Sequence, residues 1–201
     1  MSQNFFFMDE TTLQRAAAEE ARAIGHQLAD VPLHDVWAIA LRGGGPGRSI
    51  EDALAVSPLR RGGSQHVLVR GLFALRHAAG RLLGWDALLH DGAGDSYLQR
   101  LTDDERSRSS VRPGTVERGF RLLYVFRREA LAEVRNATVH AFLALALSPR
   151  ADGHTLYWAV YVKPVGALTA LYMALIDPFR RWIVYPTMIR ETQAAWARAY
   201  G

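Results

Sequence analysis

The sequence contains no cysteine, and lysine occurs only once, at position 163, among 24 basic residues. Without cysteine the chain forms no disulfide, binds no metal through a thiolate and has no cysteine nucleophile. The arginines that make up the other basic residues are scattered or occur as short pairs such as Arg60-Arg61 and Arg180-Arg181. Because the sequence also lacks a basic run with interleaved aromatic residues, which would stack on bases, we expect no nucleic acid partner.

The sequence also lacks an apolar run that is long enough to cross a bilayer. Its most apolar stretch, residues 165–176, is followed at once by Asp177, whereas a spanning helix needs about 20 residues. Extending the stretch would place Asp177, Arg180 and Arg181 in the membrane, at about 2.5–3.5 kcal/mol each. Residues 1–12 have no basic region and too short an apolar run for a secretory signal. We therefore expect a cytoplasmic protein without a transmembrane segment.

The N-terminal part of the chain predicts a helix, a strand and a turn. Residues 11–28 are rich in alanine and predict a helix that ends near Gly25, with an apolar face too thin for a place in the core. We therefore treat residues 1–30 as a helical extension and residues 31–201 as one domain. Residues 33–41 predict a strand, which stops at the glycine-rich residues 42–47.

The glycine-rich segment lacks the Gly-Lys-Ser/Thr ending of a phosphate-binding loop, so we interpret it as a tight strand-to-helix turn. Ser49 is expected to cap the short helix that follows, with Asp52 at the capping-box position. Residues 66–85 approximate helical periodicity. Residues 92–119 are polar and rich in turn formers, which predicts a long surface connection.

The second half of the chain predicts an antiparallel meander. Residues 119–129, 131–147 and 154–164 are long and rich in β-forming residues, and each predicts one strand. Side chains alternate across a strand, so each strand presents two different faces. One face is apolar, and the other mixes aromatic with polar side chains, as small-molecule pockets do. The residues of this mixed face include Tyr124, Asn136, Thr138, His140, Tyr157 and Tyr161. The alternative is a solvated face whose polar groups satisfy one another.

Everything after Pro164 predicts helix. Asp177 is expected to cap a second helix that begins at Pro178, because proline suits the first helical position. Pro186 is expected to kink that helix. An apolar stripe at helical spacing should cover the sheet, and it consists of Phe179, Trp182, Tyr185, Ile189 and Trp196. Arg180 and Arg181 lie off the stripe, in water or paired with acids.

His140 is the histidine best placed for general base catalysis, because imidazole titrates near neutral pH. Its expected neighbours are the side chains of Asn136, Thr138 and Tyr157. None of them supplies the carboxylate that would orient the imidazole ring. Glu129 and Glu133 are expected to be exposed or paired with Arg135. A hydrogen-bonded structural histidine is the alternative. The seven histidines show no metal-binding spacing, so we expect neither a metal nor a cofactor.

Four segments together resemble a known family: LHDVWAIAL, LFALRHAAGRLLGWD, LYVFRREALAEVRNATVHAFLALAL and YWAVYVKPVGALTALYMALIDPFRRWIVYPTMIRETQAAW. Over residues 33–200 the chain resembles the bacterial domain of unknown function 2867. The resemblance implies a START-like (SRPBCC, helix-grip) α+β fold, in which an antiparallel sheet wraps around a long, here proline-broken, C-terminal helix. Short helices follow the first strand. Such folds enclose a cavity for an apolar ligand, and the family brings no defined catalytic residues.

We therefore predict a module that binds a small hydrophobic molecule between the sheet and the C-terminal helix. The residues expected to line the cavity are Trp37, Tyr124, Asn136, Thr138, His140, Tyr157, Tyr161, Tyr172 and Met173. One alternative is a cyclase- or hydrolase-like enzyme that acts in the same cavity. The other is a structural or interaction module whose core is filled by its own side chains.

Overall fold

A computed structural model describes residues 22–61, 96–135, 139–165 and 167–201 of the chain. The helix predicted over residues 66–85 lies outside the described residues, as do Asn136 and Thr138 and the side chain of Tyr172. The described helices and strands, in chain order, are α1 (Arg22–Gln27), β1 (Leu33–Arg42), α2 (Ile50–Val56), α3 (Pro58–Arg61), a 3₁₀ turn (Tyr97–Arg100), α4 (Asp103–Arg108), β2 (Val116–Glu117), β3 (Phe120–Val125), β4 (Glu129–Arg135), β5 (His140–Arg150), β6 (Gly153–Lys163), α5 (Ala167–Phe179), a π-helical turn (Arg180–Val184) and α6 (Tyr185–Tyr200).

The strands form one antiparallel sheet, which over the described residues has the order β1-β6-β5-β4-β3-β2. The N-terminal strand β1 therefore lies at one edge, beside the last strand of the meander. Together with the long C-terminal helix and the short helices after β1, this sheet makes the fold α+β, and the arrangement is consistent with a helix grip. The predicted fold class is confirmed.

The meander has one more long strand than the sequence predicts. Residues 131–147 are not a single strand, because β4 pairs with β5 and the chain reverses direction between Arg135 and His140, which face each other in the register. The prediction of one strand over these residues is wrong. The sequence between the two strands contains neither glycine nor proline, so the usual turn signal is absent.

One side of the sheet, here called the helix-facing side, packs against α2 and α6. From the helices it receives Ile50 and Val56 of α2, and Tyr185, Ile189 and Trp196 of α6. The buried side chains that the strands contribute to this side are Ile39, Leu41, Val125, Ala130, Leu143, Leu145, Leu147, Leu156 and Trp158.

The other side of the sheet, here called the opposite side, is also covered. Ile24 and Leu28 from the N-terminal helical region and Tyr97 and Leu101 around the 3₁₀ turn pack against it. For the described part of the predicted N-terminal helix, residues 22–28, the prediction that it stays out of the core is therefore wrong. The surface position predicted for the segment around Tyr97 is wrong as well. The buried side chains that the strands contribute are Leu123, Tyr124, Leu131, Phe142, Ala144, Ala146 and Ala159, and Phe126, just after β3, packs with them.

The C-terminal helix does not break at Asp177. Helix α5 runs through Asp177 and Pro178 to Phe179, so the prediction that Asp177 caps a second helix is wrong. The irregularity lies later, in the π-helical turn, where the Tyr185 N–H donates to the carbonyl of Arg180, five residues earlier. Pro186 follows directly and has no N–H to extend a regular hydrogen-bond ladder.

The π-helical turn divides the predicted apolar stripe. One extra residue in the turn rotates the side chains after it by about 100° relative to those before it, since an α-helix has 3.6 residues per turn. Tyr185, Ile189 and Trp196 are buried on the sheet, as predicted, but Phe179 is 45% exposed and Trp182 is 80% exposed. The prediction that these last two residues cover the sheet is wrong.

The glycine-rich turn after β1 has the predicted form. Gly43, Gly44, Gly45 and Gly47 all have positive φ. A Cβ on Gly44 would lie 2.7 Å from the Trp196 ring, so the turn also makes room for the C-terminal helix. Trp196 donates from Nε1 to the Arg42 carbonyl at 3.0 Å and joins the end of β1 to α6.

Two tryptophans on the C-terminal helix should differ sharply in their contribution to stability. Trp196→Ala removes a fully buried side chain and its hydrogen bond, so we expect the free energy of unfolding to fall by about 3–5 kcal/mol. Trp182→Ala is the matched control, with an expected change within about 0.5 kcal/mol. Urea unfolding followed by circular dichroism measures both, and equal losses would contradict the burial described here.

Candidate functional site

A network of charged side chains joins the first strand to the C-terminal helix where the helix turns irregular. Arg180 is its centre: Nη2 donates to Asp35 Oδ2 at 3.1 Å, and Nη1 donates to Asp177 Oδ1 at 2.7 Å. Arg180 also donates to the Tyr185 hydroxyl. His34 Nε2 lies 2.9 Å from Asp177 Oδ2. We call these five residues the Arg180 network.

The Arg180 network is buried at one end and open at the other. The Asp35 side chain is 8% exposed and that of Arg180 is 15% exposed, whereas His34 and Asp177 are 23% and 22% exposed. Burial raises the pKa of Asp35, although Arg180 opposes the shift. The predicted alternative that Arg180 pairs with acids is thus confirmed, and Asp177 serves as its partner rather than as a helix cap.

Two polar atoms beside the Arg180 network are buried without a hydrogen-bond partner among the described residues. They are Oδ1 of Asp35 and Nε1 of Trp37, which alternate along β1 and so lie on the same side of the sheet. The Trp37 ring packs against Tyr185, with centroids 5.4 Å apart. A buried acceptor and a buried donor without partners are costly, so this corner of the helix-facing side holds two atoms that a water or a polar group of a ligand could pair with.

A second polar cluster lies on the opposite side of the sheet. His140 Nε2 is 3.1 Å from Glu133 Oε2, Ser96 donates to Glu133 Oε1 at 2.5 Å, and the Tyr97 N–H donates to Glu133 Oε2 at 3.1 Å. Glu133 and His140 are almost fully buried. The predictions that Glu133 is exposed and that His140 lacks a carboxylate partner are both wrong, because the hairpin brings β4 beside β5.

This second cluster has the contacts of a structural site. Burial would raise the pKa of Glu133, but hydrogen bonds from His140, Ser96 and the Tyr97 N–H outweigh it and hold the pKa below its ordinary value. Ser96 and His140 bind the two oxygens of one carboxylate, so the imidazole is not placed to activate the hydroxyl. The geometry therefore favours the hydrogen-bonded structural histidine.

A third feature is an apolar cleft on the helix-facing side, of about 50 Å³, between the short helices and the strands β3, β4 and β5. Among the described residues of its lining, the charged ones are Arg60 and Glu117, whose Nη2 and Oε1 atoms are 3.0 Å apart. The apolar residues that line the cleft are Leu54, Phe120, Leu122, Val125, Ala130, Leu131, Ala132, Leu143 and Leu145, and the side chain of Leu131 itself points to the opposite side.

The sheet separates the residues that were predicted to line one cavity. Trp37 and Met173 lie on the side of the C-terminal helix, where Met173 packs with Val139 and Val162. Tyr157 and Tyr161 lie on the opposite side. So do Tyr124, whose ring stacks on Phe126 at 4.2 Å, and His140, which packs against Phe142. One pocket between sheet and C-terminal helix cannot contain both sets.

The sequence analysis did not identify Asp35 or the lining of the cleft as candidate functional residues. Asp35 carried a usable signal, because it is a carboxylate within an otherwise apolar strand and shares a face with Trp37 and Ile39. The lining of the cleft carried no such sequence signal, because Ala130, Ala132 and Leu143 have the pattern of ordinary core residues.

Comparison with known protein families gives one match. The model of the family described as "Protein of unknown function (DUF2867)" matches residues 27–187. The chain belongs to this family. The match covers β1, the meander, α5 and the π-helical turn, and it ends just after Pro186, so both the Arg180 network and the cleft lie within it. No curated protein matches the chain.

The described residues contain neither a candidate metal cluster nor a candidate membrane span. No group of three or more His, Asp or Glu side chains that could hold a metal ion is found among them. Within the same part of the chain, no helix combines the length and apolarity needed to cross a bilayer.

Asp35 and Glu133 should show opposite dependences of stability on pH. The folded pKa of Asp35 lies above its ordinary 3.8, so its stabilising effect is present in acid and is lost as pH rises through the folded pKa. The folded pKa of Glu133 lies below its ordinary 4.5, so its effect is present above that value and is lost as pH falls.

The variants Asp35→Asn and Glu133→Gln test this difference. The unfolding free energy of the wild type relative to Asp35→Asn should decrease with rising pH, and relative to Glu133→Gln it should increase. Denaturant titrations at a series of acidic to neutral pH values give both slopes. Two slopes of the same sign would contradict the environments assigned to these carboxyl groups.

Proposed function

We propose that the chain is a binding module for a small hydrophobic molecule, whose apolar part enters the cleft on the helix-facing side. The observation that carries the proposal is the lining: nine of its described residues are aliphatic or aromatic, and the two described residues that are charged pair with each other. Sites for small molecules are concave and mostly apolar, with few polar groups that fix orientation. This cleft has that chemistry.

The size of the cleft limits what it holds. At about 50 Å³ it is smaller than the roughly 300–1,000 Å³ of pockets that enclose a whole drug-sized ligand. It therefore receives one apolar end of a molecule, such as a short alkyl segment or the edge of a ring. The polar end lies toward Arg60 and Glu117, which are both about one third exposed.

The START-like, helix-grip resemblance supports the proposal, because proteins of that group hold apolar ligands against the concave side of a sheet. The position differs from the one expected from sequence, since this cleft lies beside α2 and α3 rather than under α5. The contacts of Glu133 and His140 do not favour the enzyme alternative, because His140 Nε2 contacts the Glu133 carboxylate and not the Ser96 hydroxyl, which donates to the other oxygen of that carboxylate. We therefore propose that the chain binds a small hydrophobic molecule, and that it does so in the cytoplasm.

Native mass spectrometry of the full chain purified from cells tests the proposal directly. We expect a fraction of the protein to carry additional mass, which solvent extraction releases as an apolar compound. If the purified protein carries none and a panel of apolar fluorescent probes does not bind it, the cleft is part of a filled core and the module has an interaction role instead.

A single substitution in the cleft wall should remove binding without unfolding the chain. Ala132→Leu places a larger side chain in the cleft, so the ligand-carrying fraction should fall at least about tenfold, as expected when a pocket loses the space of one or two methylene groups. Ala38→Leu, an exposed position on β1, is the matched control and should bind as the wild type does. Equal binding by the two variants would place the ligand elsewhere.

A further inference from the structure

The exposed aromatic pair, Phe179 and Trp182, is a feature that the proposed function does not use. The two side chains are three residues apart, so they lie on one face of the C-terminal helix. Among the described residues they belong to a small group of large hydrophobic side chains that are exposed, and Trp182 is the most exposed of that group. A tryptophan in water next to a half-exposed phenylalanine indicates an interaction surface.

Phe179 and Trp182 point into solvent because Arg180, which lies between them in the sequence, makes its contacts on the opposite face of the helix. Arg180 points inward, where it binds Asp35 and Asp177. Turning Trp182 toward the sheet would rotate Arg180 out of the Arg180 network. That rotation would leave the buried Asp35 carboxylate without its cation, which is strongly unfavourable. The pair is therefore held in solvent.

The charge around the pair is mainly positive. Residues 178–190 contain three arginines, and the two carboxylates that flank them are already paired: Asp177 binds Arg180 and His34, and Glu191 also has a partner. Arg180 is neutralised by the acids it binds, while Arg181 and Arg190 are exposed. The surface that carries Phe179 and Trp182 thus combines exposed aromatic rings with uncompensated positive charge, and the whole chain has a net charge of +4.

From these observations we infer that the π-helical turn docks the protein reversibly on an anionic lipid surface. Tryptophan and phenylalanine rings enter the headgroup region of a bilayer, where amphipathic helices place the same residues. Arginines beside them are attracted to the negative surface of anionic lipids. The inference does not depend on the cleft, and either proposal can fail without the other.

A second copy of the chain fits this surface less well. A symmetric contact through the same patch would bring the exposed arginines of the two copies toward each other, and the flanking carboxylates of Asp177 and Glu191 already have partners. Like charges at a contact oppose association. An anionic bilayer, in contrast, satisfies both the rings and the arginines.

Vesicle co-sedimentation with the full chain tests the inference. The probes are vesicles of phosphatidylcholine alone and of phosphatidylcholine with about one third phosphatidylserine. We expect binding to the anionic vesicles that weakens as salt is added, because salt screens the arginine contribution. Quenching of tryptophan fluorescence by brominated lipid should accompany binding and disappear in Trp182→Phe.

Substitutions of the aromatic part and of the basic part of this surface should weaken binding to anionic vesicles by different factors. Trp182→Ala should weaken binding to anionic vesicles about tenfold or more, and Arg181→Gln by about fivefold. Val116→Ala is the control, because Val116 is also exposed but lies on β2, and it should bind as the wild type does. We expect Trp182→Ala to keep the fold, because Trp182 is 80% exposed, and circular dichroism of the variant checks this.

Three results would overturn the inference. The first is absence of binding to anionic vesicles, and the second is binding that Trp182→Ala leaves unchanged. The third is a dimer in light scattering that Trp182→Ala dissociates, without vesicle binding, since that would assign the surface to a second copy of the chain.

Discussion

The contact between Arg180 and Asp35 determines how the C-terminal helix lies on the sheet. It joins residues that are 145 positions apart and brings a guanidinium and a carboxylate out of water together. A buried ion pair of this kind contributes little net stability, because desolvation offsets the attraction, but removing one partner is very unfavourable. The pair therefore acts chiefly on geometry: it selects the rotation of the helix at which Arg180 faces Asp35.

The π-helical turn follows from the helix rotation that the Arg180–Asp35 pair selects. Arg180 must point inward to reach Asp35, and Tyr185, Ile189 and Trp196 must also point inward to fill the core. A regular α-helix does not place positions 180 and 185 on one face, since five residues correspond to about 500° of rotation. The π-helical turn brings the two positions together, and Arg180 and the Tyr185 hydroxyl are in fact bonded. Phe179 and Trp182 then have no room on the inner face.

Local patterns predicted much of this fold. The strands near residues 33–41, 119–129 and 154–164, the glycine turn and the cap at Ser49, whose N–H donates to Asp52 at 2.9 Å, all depend on neighbouring residues and agree with the structure. The reversal before His140 was missed because no glycine or proline marks it. Phe179 and Trp182 were wrongly assigned to the buried apolar stripe, because the spacing used to predict the stripe holds only for a regular α-helix. Contacts such as Arg180 with Asp35 leave no local trace in the sequence.

The two sides of the sheet differ in what remains for a partner to satisfy. On the opposite side, both oxygens of Glu133 accept hydrogen bonds from Ser96, Tyr97 and His140, so this buried acid is fully paired. On the helix-facing side, the buried carboxylate of Asp35 keeps one oxygen without a partner, and the sheet beyond α2 leaves an apolar cleft. Unpaired buried groups and open apolar surface are both unfavourable for a structure that only has to fold. The Tyr124 hydroxyl on the opposite side is also buried without a partner among the described residues, so an unpaired atom alone does not locate a site. It is the open apolar cleft, found on the helix-facing side, that supports our proposal that binding occurs there.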